Sequence, residues 1–224
     1  MFLNSKVIPA FLSIFFCALL AHSQHITHYN LVHLLRKNKL DTSAGPQTHV
    51  LKDGGKEGIS TMGIVWLKGV NFKEGTIDVD LRGKDVFLQS FLGIAFHAKD
   101  TAAYELVYFR PFRFRSTDTP TRKWSVQYTS LPKFDYTVLR KEHPGIYENA
   151  VNPAPEATDW FHATIVVKGD WITVYVNHSA TASLKVRKLN DFTDGKVGLW
   201  NSAGALSGDF ANLTIKNQEP KTRN

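Results

Sequence analysis

The sequence predicts an all-β protein, a two-sheet antiparallel sandwich of the jelly-roll kind. Three observations predict it. About ten short runs rich in β-branched and aromatic residues are separated by turn residues. Thr76-Ile77-Asp78-Val79-Asp80-Leu81-Arg82 alternates apolar and charged residues, the pattern of a half-exposed strand. No segment beyond the N-terminal apolar stretch keeps a 3.6-residue period.

The elements follow in order. Lys6, the uncharged stretch Val7–Leu20 and Ala21-His22-Ser23 have the layout of a signal peptide over residues 1–23, and the apolar part is short for a membrane span. The expectation is a secreted or periplasmic protein with no membrane span after signal removal. Gln24 to Lys56 is polar, with Leu31, Leu34 and Leu35 suiting a short helix or an edge strand. Strands are expected over Ile59–Leu67, Thr76–Arg82, Val86–His97, Tyr104–Phe109 and Trp124–Thr129. Ser130 to Asp159 reads as one long loop holding four prolines. Trp160–Lys168 and Trp171–Asn177 flank Gly169-Asp170, a two-residue hairpin signal. Ser183–Arg187, Lys196–Trp200 and Asp209–Ile215 complete one domain over residues 24–216, and residues 217–224 read as a polar tail.

Composition narrows the function. The 224 residues are 43% hydrophobic, enough for a core and too much for a wholly disordered chain. The one cysteine, Cys17, lies in the signal segment, so the rest of the chain has no disulfide, thiol nucleophile or cysteine-ligated zinc. Between Arg110 and His143 eight basic residues face three acidic ones. Such a surplus attracts anions, uronate or sulfate groups for an exported protein, or it is a solvated loop. No nucleic-acid motif appears, and nucleic acid is not an expected partner.

Several segments together carry a resemblance: Phe72 to Asp80, Gly93-Ile94-Ala95-Phe96-His97, Tyr104-Glu105, Trp160-Phe161-His162, Val174-Tyr175-Val176-Asn177, Gly195 to Trp200, and Asp209 to Leu213. They resemble the concanavalin A-like lectin and glucanase sandwiches, among these most the 3-keto-disaccharide hydrolase and laminin-G-like bacterial domains. The resemblance implies a carbohydrate ligand, poly- or oligosaccharide, and no required cofactor. A Tyr-Glu pair lies on the ligand-facing sheet of the resembled hydrolases, so Glu105 inherits the role of catalytic carboxylate, with His97 assisting. The other reading of Glu105 is a buried residue paired with an arginine. His97 stands where the family often has arginine. In these sandwiches an aspartate at the position of Asp209 can help hold a structural calcium. The Glu-x-Asp-x-x-Glu pattern of the laminarinase branch is incomplete at Asp78-Val79-Asp80-Leu81-Arg82-Gly83, and Asp78 and Asp80 are read as a solvent face.

The remaining candidates bind rather than react. On a strand from Tyr104, alternation puts Glu105, Val107 and Phe109 on one face and Tyr104, Leu106, Tyr108 and Arg110 on the other. Tyr108, Gln127 and Trp200 suit a sugar, which offers hydroxyls at its edge and C–H groups on its face. Arg110, Arg113 and Arg140 suit an anionic group, since a guanidinium grips a carboxylate with two hydrogen bonds. Glu142 and Glu148 lie on the long loop as rim contacts. The function that follows is a carbohydrate-active protein, a glycoside hydrolase acting on an oxidised or anionic sugar. A carbohydrate-binding module without chemistry is the alternative, and a structural surface protein is the third reading. A cleft with two converging titratable groups marks the enzyme; a shallow aromatic and polar face marks the module.

Overall fold

The computed structural model describes residues 24–51 and 56–218. The expected signal segment, residues 1–23, and residues 219–224 lie outside the described residues. Fifteen strands follow in chain order: β1 (Gln24–Tyr29), β2 (Leu40–Asp41), β3 (His49–Val50), β4 (Gly58–Thr61), β5 (Ile64–Phe72), β6 (Gly75–Arg82), β7 (Leu92–Ala98), β8 (Glu105–Phe109), β9 (Val126–Ser130), β10 (Glu148–Asn149), β11 (Phe161–Lys168), β12 (Trp171–Val176), β13 (Leu184–Arg187), β14 (Gly195–Asn201) and β15 (Gly208–Gln218). Among the described residues three short α-helices interrupt them, α1 (Leu31–Arg36), α2 (Thr119–Arg122) and α3 (Tyr136–Glu142), with a 3-10 helix at Pro111–Arg113. Among the described residues no helix is long and apolar enough to cross a membrane.

The strands form two antiparallel sheets. An eight-stranded sheet runs β13-β12-β11-β6-β15-β4-β3, with β1 also on β15; a seven-stranded sheet runs β10-β9-β8-β7-β14-β5-β2. This is the expected sandwich. Its core is the layer between the sheets, where Ile77, Val79 and Leu81 of β6 and Ile165 and Val167 of β11 meet Ile94 and Phe96 of β7 and Val107 and Phe109 of β8. Alternate residues of each strand reach that layer, as the pleat requires.

Four expected boundaries move, each for a local reason. Ile59–Leu67 is two strands in different sheets, because the chain turns at Gly63, whose φ is +81° and where a Cβ would lie 2.0 Å from Ala44 O. The apolar run from Val86 is strand only from Leu92; Leu88 has φ +56°, and Phe87, 60% exposed, lies beneath the Arg113 guanidinium, 4.7 Å from Cζ to ring centroid. The polar N-terminal stretch contributes β1, paired with β15 from Gln24↔Gln218 to Tyr29↔Leu213, so β15 runs two residues past the expected end of the domain. The long loop holds α3, whose N-cap Asp135 accepts from the Thr137 and Val138 amides and whose last turn carries Arg140 and Lys141.

Candidate functional site

A second apolar cluster lies outside the core, on the outer face of the seven-stranded sheet. Trp66 of β5, Ala95 of β7, Leu106 and Tyr108 of β8 form it, with Trp200 of β14 packed against them. Alternation along β8 sends Leu106 and Tyr108 outward while Val107 and Phe109 enter the core. Gly93 then brings the two main aromatics together. It pairs with Tyr108 on one side and Trp200 on the other, and its missing side chain leaves the space across which the two rings stand 5.3 Å apart. A Cβ at Gly93 would lie 2.1 Å from Val107 O and 2.6 Å from Tyr108 Cα. Gly93→Ala is therefore expected to lower the Tm by several degrees and to separate the rings. Thermal melts and the near-ultraviolet circular dichroism of Trp200 check this; an unchanged melt and spectrum would count against the packing.

Above this floor lies a pocket of about 350 Å³. Tyr108, Trp200, Phe91 and Leu88 line it, with Tyr136 and Arg140 of α3. Tyr136 is 52% exposed, so an aromatic face at the rim meets solvent. Arg110 also lines the pocket. It directly follows β8 and precedes Pro111, which opens a short 3-10 turn, and its guanidinium points outward to the pocket. Arg110 Nη2 donates to Tyr108 Oη and to Gln127 Oε1, both at 2.5 Å, Nη1 donates to Trp124 O at 2.6 Å, and Tyr108 Oη donates to Gln127 Oε1 at 2.8 Å.

The charge here is unbalanced. Arg110 is buried and forms no ion pair among the described residues, and burial pushes its pKa down. Burial also pushes the Tyr108 hydroxyl up. Arg140, by contrast, is neutralised by Glu148 of β10 at 3.0 Å, and its guanidinium lies 4.5 Å from the Trp124 ring centroid. The Gln127 amide Nε2 is buried with no hydrogen-bond partner among the described residues. Among the described residues the one carboxylate lining the pocket is Asp135, whose Oδ1 accepts from the α3 amides.

The structure thus brings together Tyr108, Arg110, Gln127, Arg140, Glu148 and Trp200. Arg113 sits beside them, hydrogen-bonded to Thr121 Oγ1 and stacked against Phe87, and does not line the pocket. Glu142, at the end of α3, is exposed and also outside the lining. Asp135, Tyr136, Leu88 and Phe91 are not among the residues the sequence suggests for the site, and the stretch holding Asp135 and Tyr136 reads as loop; Asp135, a good N-cap residue, is the one signal there that points to a helix.

Glu105 and His97 stand elsewhere. Both side chains are 0% exposed, on the core side of β8 and β7. Glu105 Oε2 meets His97 Nδ1 at 2.5 Å, Tyr128 Oη donates to Oε1 at 2.5 Å, and Lys188 Nζ is 3.6 Å away. His97 Nε2 meets Lys73 O at 2.7 Å. Both ring nitrogens thus face oxygen. Burial first, and then the Glu105 carboxylate, push the Tyr128 hydroxyl up. The expected proton donor is therefore an interior ion-pair residue, closed on every side and out of a sugar's reach. The residues at Asp209 do not fit calcium. Asp209 is 2% exposed, and its Oδ2 accepts from Arg82 Nε and Nη2, both at 2.9 Å, so a guanidinium stands where a cation would bind. Among the described residues no group of three or more His, Cys, Asp or Glu side chains could hold a metal ion.

Asp78 and Asp80 face outward from the eight-stranded sheet, yet they are buried in an ion network rather than solvated. His162 Nδ1 meets Asp80 Oδ1 at 2.8 Å and Nε2 approaches Asp78 Oδ1 at 3.4 Å; Lys56 and Asn212 donate to Asp80, Thr164 and Lys216 to Asp78. Hydrogen bonds to Asp78 and then Asp80 raise His162 from 6.5 to about 9, against burial. Burial raises the Asp80 pKa, but the bonds from His162, Lys56 and Asn212 outweigh it and hold it at about 2. The raised imidazole contributes stability that is full below pH 6.5 and lost as pH rises through about 9. The depressed carboxylate contributes stability present above its ordinary value and lost as pH falls through about 2. The Tm is thus expected to fall between pH 6.5 and 9 in the wild type and to stay level there in His162→Gln; equal slopes in the two proteins would contradict the network.

No family model matches the chain, and no curated protein matches it in sequence. Solved structures do. A Bacillus subtilis protein with a galectin-like fold has a TM-score of 0.55 at 10% identity, covering 86% of this chain and 96% of its own. The exoplasmic/lumenal domain of VIP36, in its Ca²⁺/Man3GlcNAc-bound form, has a TM-score of 0.54 at 7% identity, covering 89% and 92%. The carbohydrate-binding module CBM66 of Bacillus subtilis has a TM-score of 0.51 at 11% identity, covering 79% and 95%. The fold is that of the concanavalin A-like sandwiches, and at such identities the likeness extends to fold alone.

Proposed function

We propose that the protein binds a carbohydrate bearing a carboxylate or sulfate in the pocket over Tyr108 and Trp200, and does not cleave it. The observation that carries this reading is Arg110, a buried guanidinium without a carboxylate partner among the described residues, opening on an aromatic floor. A buried unpaired charge is costly, and an anionic group on the ligand would offset that cost with charge-assisted hydrogen bonds. The ring faces of Trp200, Tyr108 and Tyr136 suit the C–H faces of a pyranose. Lectin and carbohydrate-binding neighbours share the fold, which agrees with this reading and does not carry it. Glycosidic hydrolysis needs two carboxylates across the bond, about 5–9.5 Å apart. Asp135 alone lines this pocket, and Glu148 is held by Arg140.

A glycan array followed by reducing-end assays on its hits tests both halves. Uronate- or sulfate-bearing glycans are expected among the hits, with no release of reducing ends. Preference for neutral glycans would end the anionic reading, and hydrolysis of any hit would end the non-catalytic one. Export is part of the proposal. The secreted or periplasmic protein is expected to begin at or near Gln24 by mass spectrometry, and intact Met1 in the cytosol alone would contradict it.

A further inference from the structure

We infer that the chain carries a second binding surface, for an anionic polysaccharide, on the outer face of the eight-stranded sheet around Trp171. Of the five tryptophans it is the exposed one, at 41%. It opens β12 directly after the Gly169-Asp170 turn, and β12–β13 pairing sets Arg187 across from it and Lys185 across from Thr173. The guanidinium and ammonium lie 5.1 and 5.2 Å from the indole centroid. A groove of about 770 Å³ runs beside it, past Thr173 and Lys168 to Lys73 and Glu74 in the β5–β6 turn and Gln218 at the end of β15.

The charge around this indole differs from that around Trp160 on the same face. Lys56 and Arg82 also lie over the Trp160 ring, but Asp80 and Asp209 neutralise them. Lys73, Lys168, Lys185 and Arg187 form no ion pair among the described residues. Glu74 and Asp170 are the two carboxylates in the groove wall. The surface therefore presents surplus positive charge along a groove, with an aromatic plane at one end. A polymer of anionic sugars matches that pattern: its repeated charges meet the cations and one sugar lies on the indole. A membrane fits it poorly, because the groove offers one half-buried aliphatic side chain, Val166, beside Trp171, and lysine, arginine and threonine make up the surroundings, too little apolar area to insert.

The test is titration calorimetry of the whole chain with heparin, polygalacturonate and neutral dextran at low and physiological salt. Binding to heparin, polygalacturonate or both is expected, weakening with salt, with none to dextran. Tighter binding of heparin would assign sulfate, and tighter binding of polygalacturonate carboxylate. The Trp200→Ala variant isolates this surface from the pocket over Tyr108. In that background Trp171→Ala is expected to lower affinity about tenfold or more, and Lys185→Gln with Arg187→Gln to flatten the salt dependence. A direct measurement on the wild-type chain needs no variant: bound polymer should shield Lys168 and Lys185 from reductive methylation while the exposed Lys37, at the end of α1 and far from both surfaces, stays reactive. Equal affinity with and without Trp171, unshielded Lys168 and Lys185, or tighter binding to double-stranded DNA than to either polysaccharide would each overturn the inference. Failure of Trp200→Ala to bind the array hits, with polymer binding intact, would bear on the other pocket alone.

Discussion

Glu105→Ala is expected to lower the Tm by about 10 °C and to leave ligand binding by the folded protein nearly unchanged. The carboxylate is wholly buried and closes three contacts, to His97, Tyr128 and Lys188. Removing one partner of a buried pair leaves the others as uncompensated polar or charged groups, at a cost of about 3–5 kcal/mol. For a domain of this size each kcal/mol moves the Tm by about 2–4 °C. The network also joins β7, β8 and β9 to the Lys73 carbonyl and, through Tyr128 Oη, to the Leu189 amide. Its loss loosens several elements at once. Glu105→Gln keeps the shape but removes the charge that balances Lys188, so a smaller drop is expected. Differential scanning calorimetry separates the cases. A shift under 2 °C for Glu105→Ala would show that the interior network is not what holds these strands.

Arg110→Gln is expected to weaken uronate binding by about 30-fold or more, because truncating one partner of a buried, hydrogen-bonded charge pair costs about 2–5 kcal/mol. The Tm should change little or rise, since the substitution removes a buried charge that has no carboxylate partner among the described residues. Calorimetric titration with an oligogalacturonide and its neutral galactose counterpart reads the effect. The loss should be specific to the acidic sugar. Equal losses for both sugars would mean that Arg110 holds Tyr108 and Gln127 in place and does not touch an anion.

Much of this was legible in the alternation. β8 separates into Val107 and Phe109 on one face and Leu106 and Tyr108 on the other, with Arg110 just past its end on the side of Tyr108, as the sequence predicts. What alternation does not say is which face meets the second sheet, because a period of two relates residues of one strand and not two sheets. Glu105 shares its face with Val107 and Phe109, so its burial follows once those two are seen to be core. Family resemblance pulled the other way and made it a site carboxylate. Side-chain chemistry suggests Tyr108, Gln127 and Trp200 one by one; what brings Tyr108 and Trp200 together is Gly93, where β7 lies between its neighbour in sequence, β8, and the distant β14. β1 escaped notice because an exposed edge strand needs little apolar patterning. Tyr136 escaped because its helix is short, held by one cap and one buried leucine, Leu139.

The most direct test of a ligand seated over Tyr108 and Trp200 is the indole N–H spectrum of the protein titrated with an oligogalacturonide, with the five tryptophans assigned by single substitutions to phenylalanine. The Trp200 resonance is expected to shift saturably in the wild type and to stay still at the same concentrations in Arg110→Gln. Saturable binding that leaves Trp200 unmoved in the wild type would contradict the account.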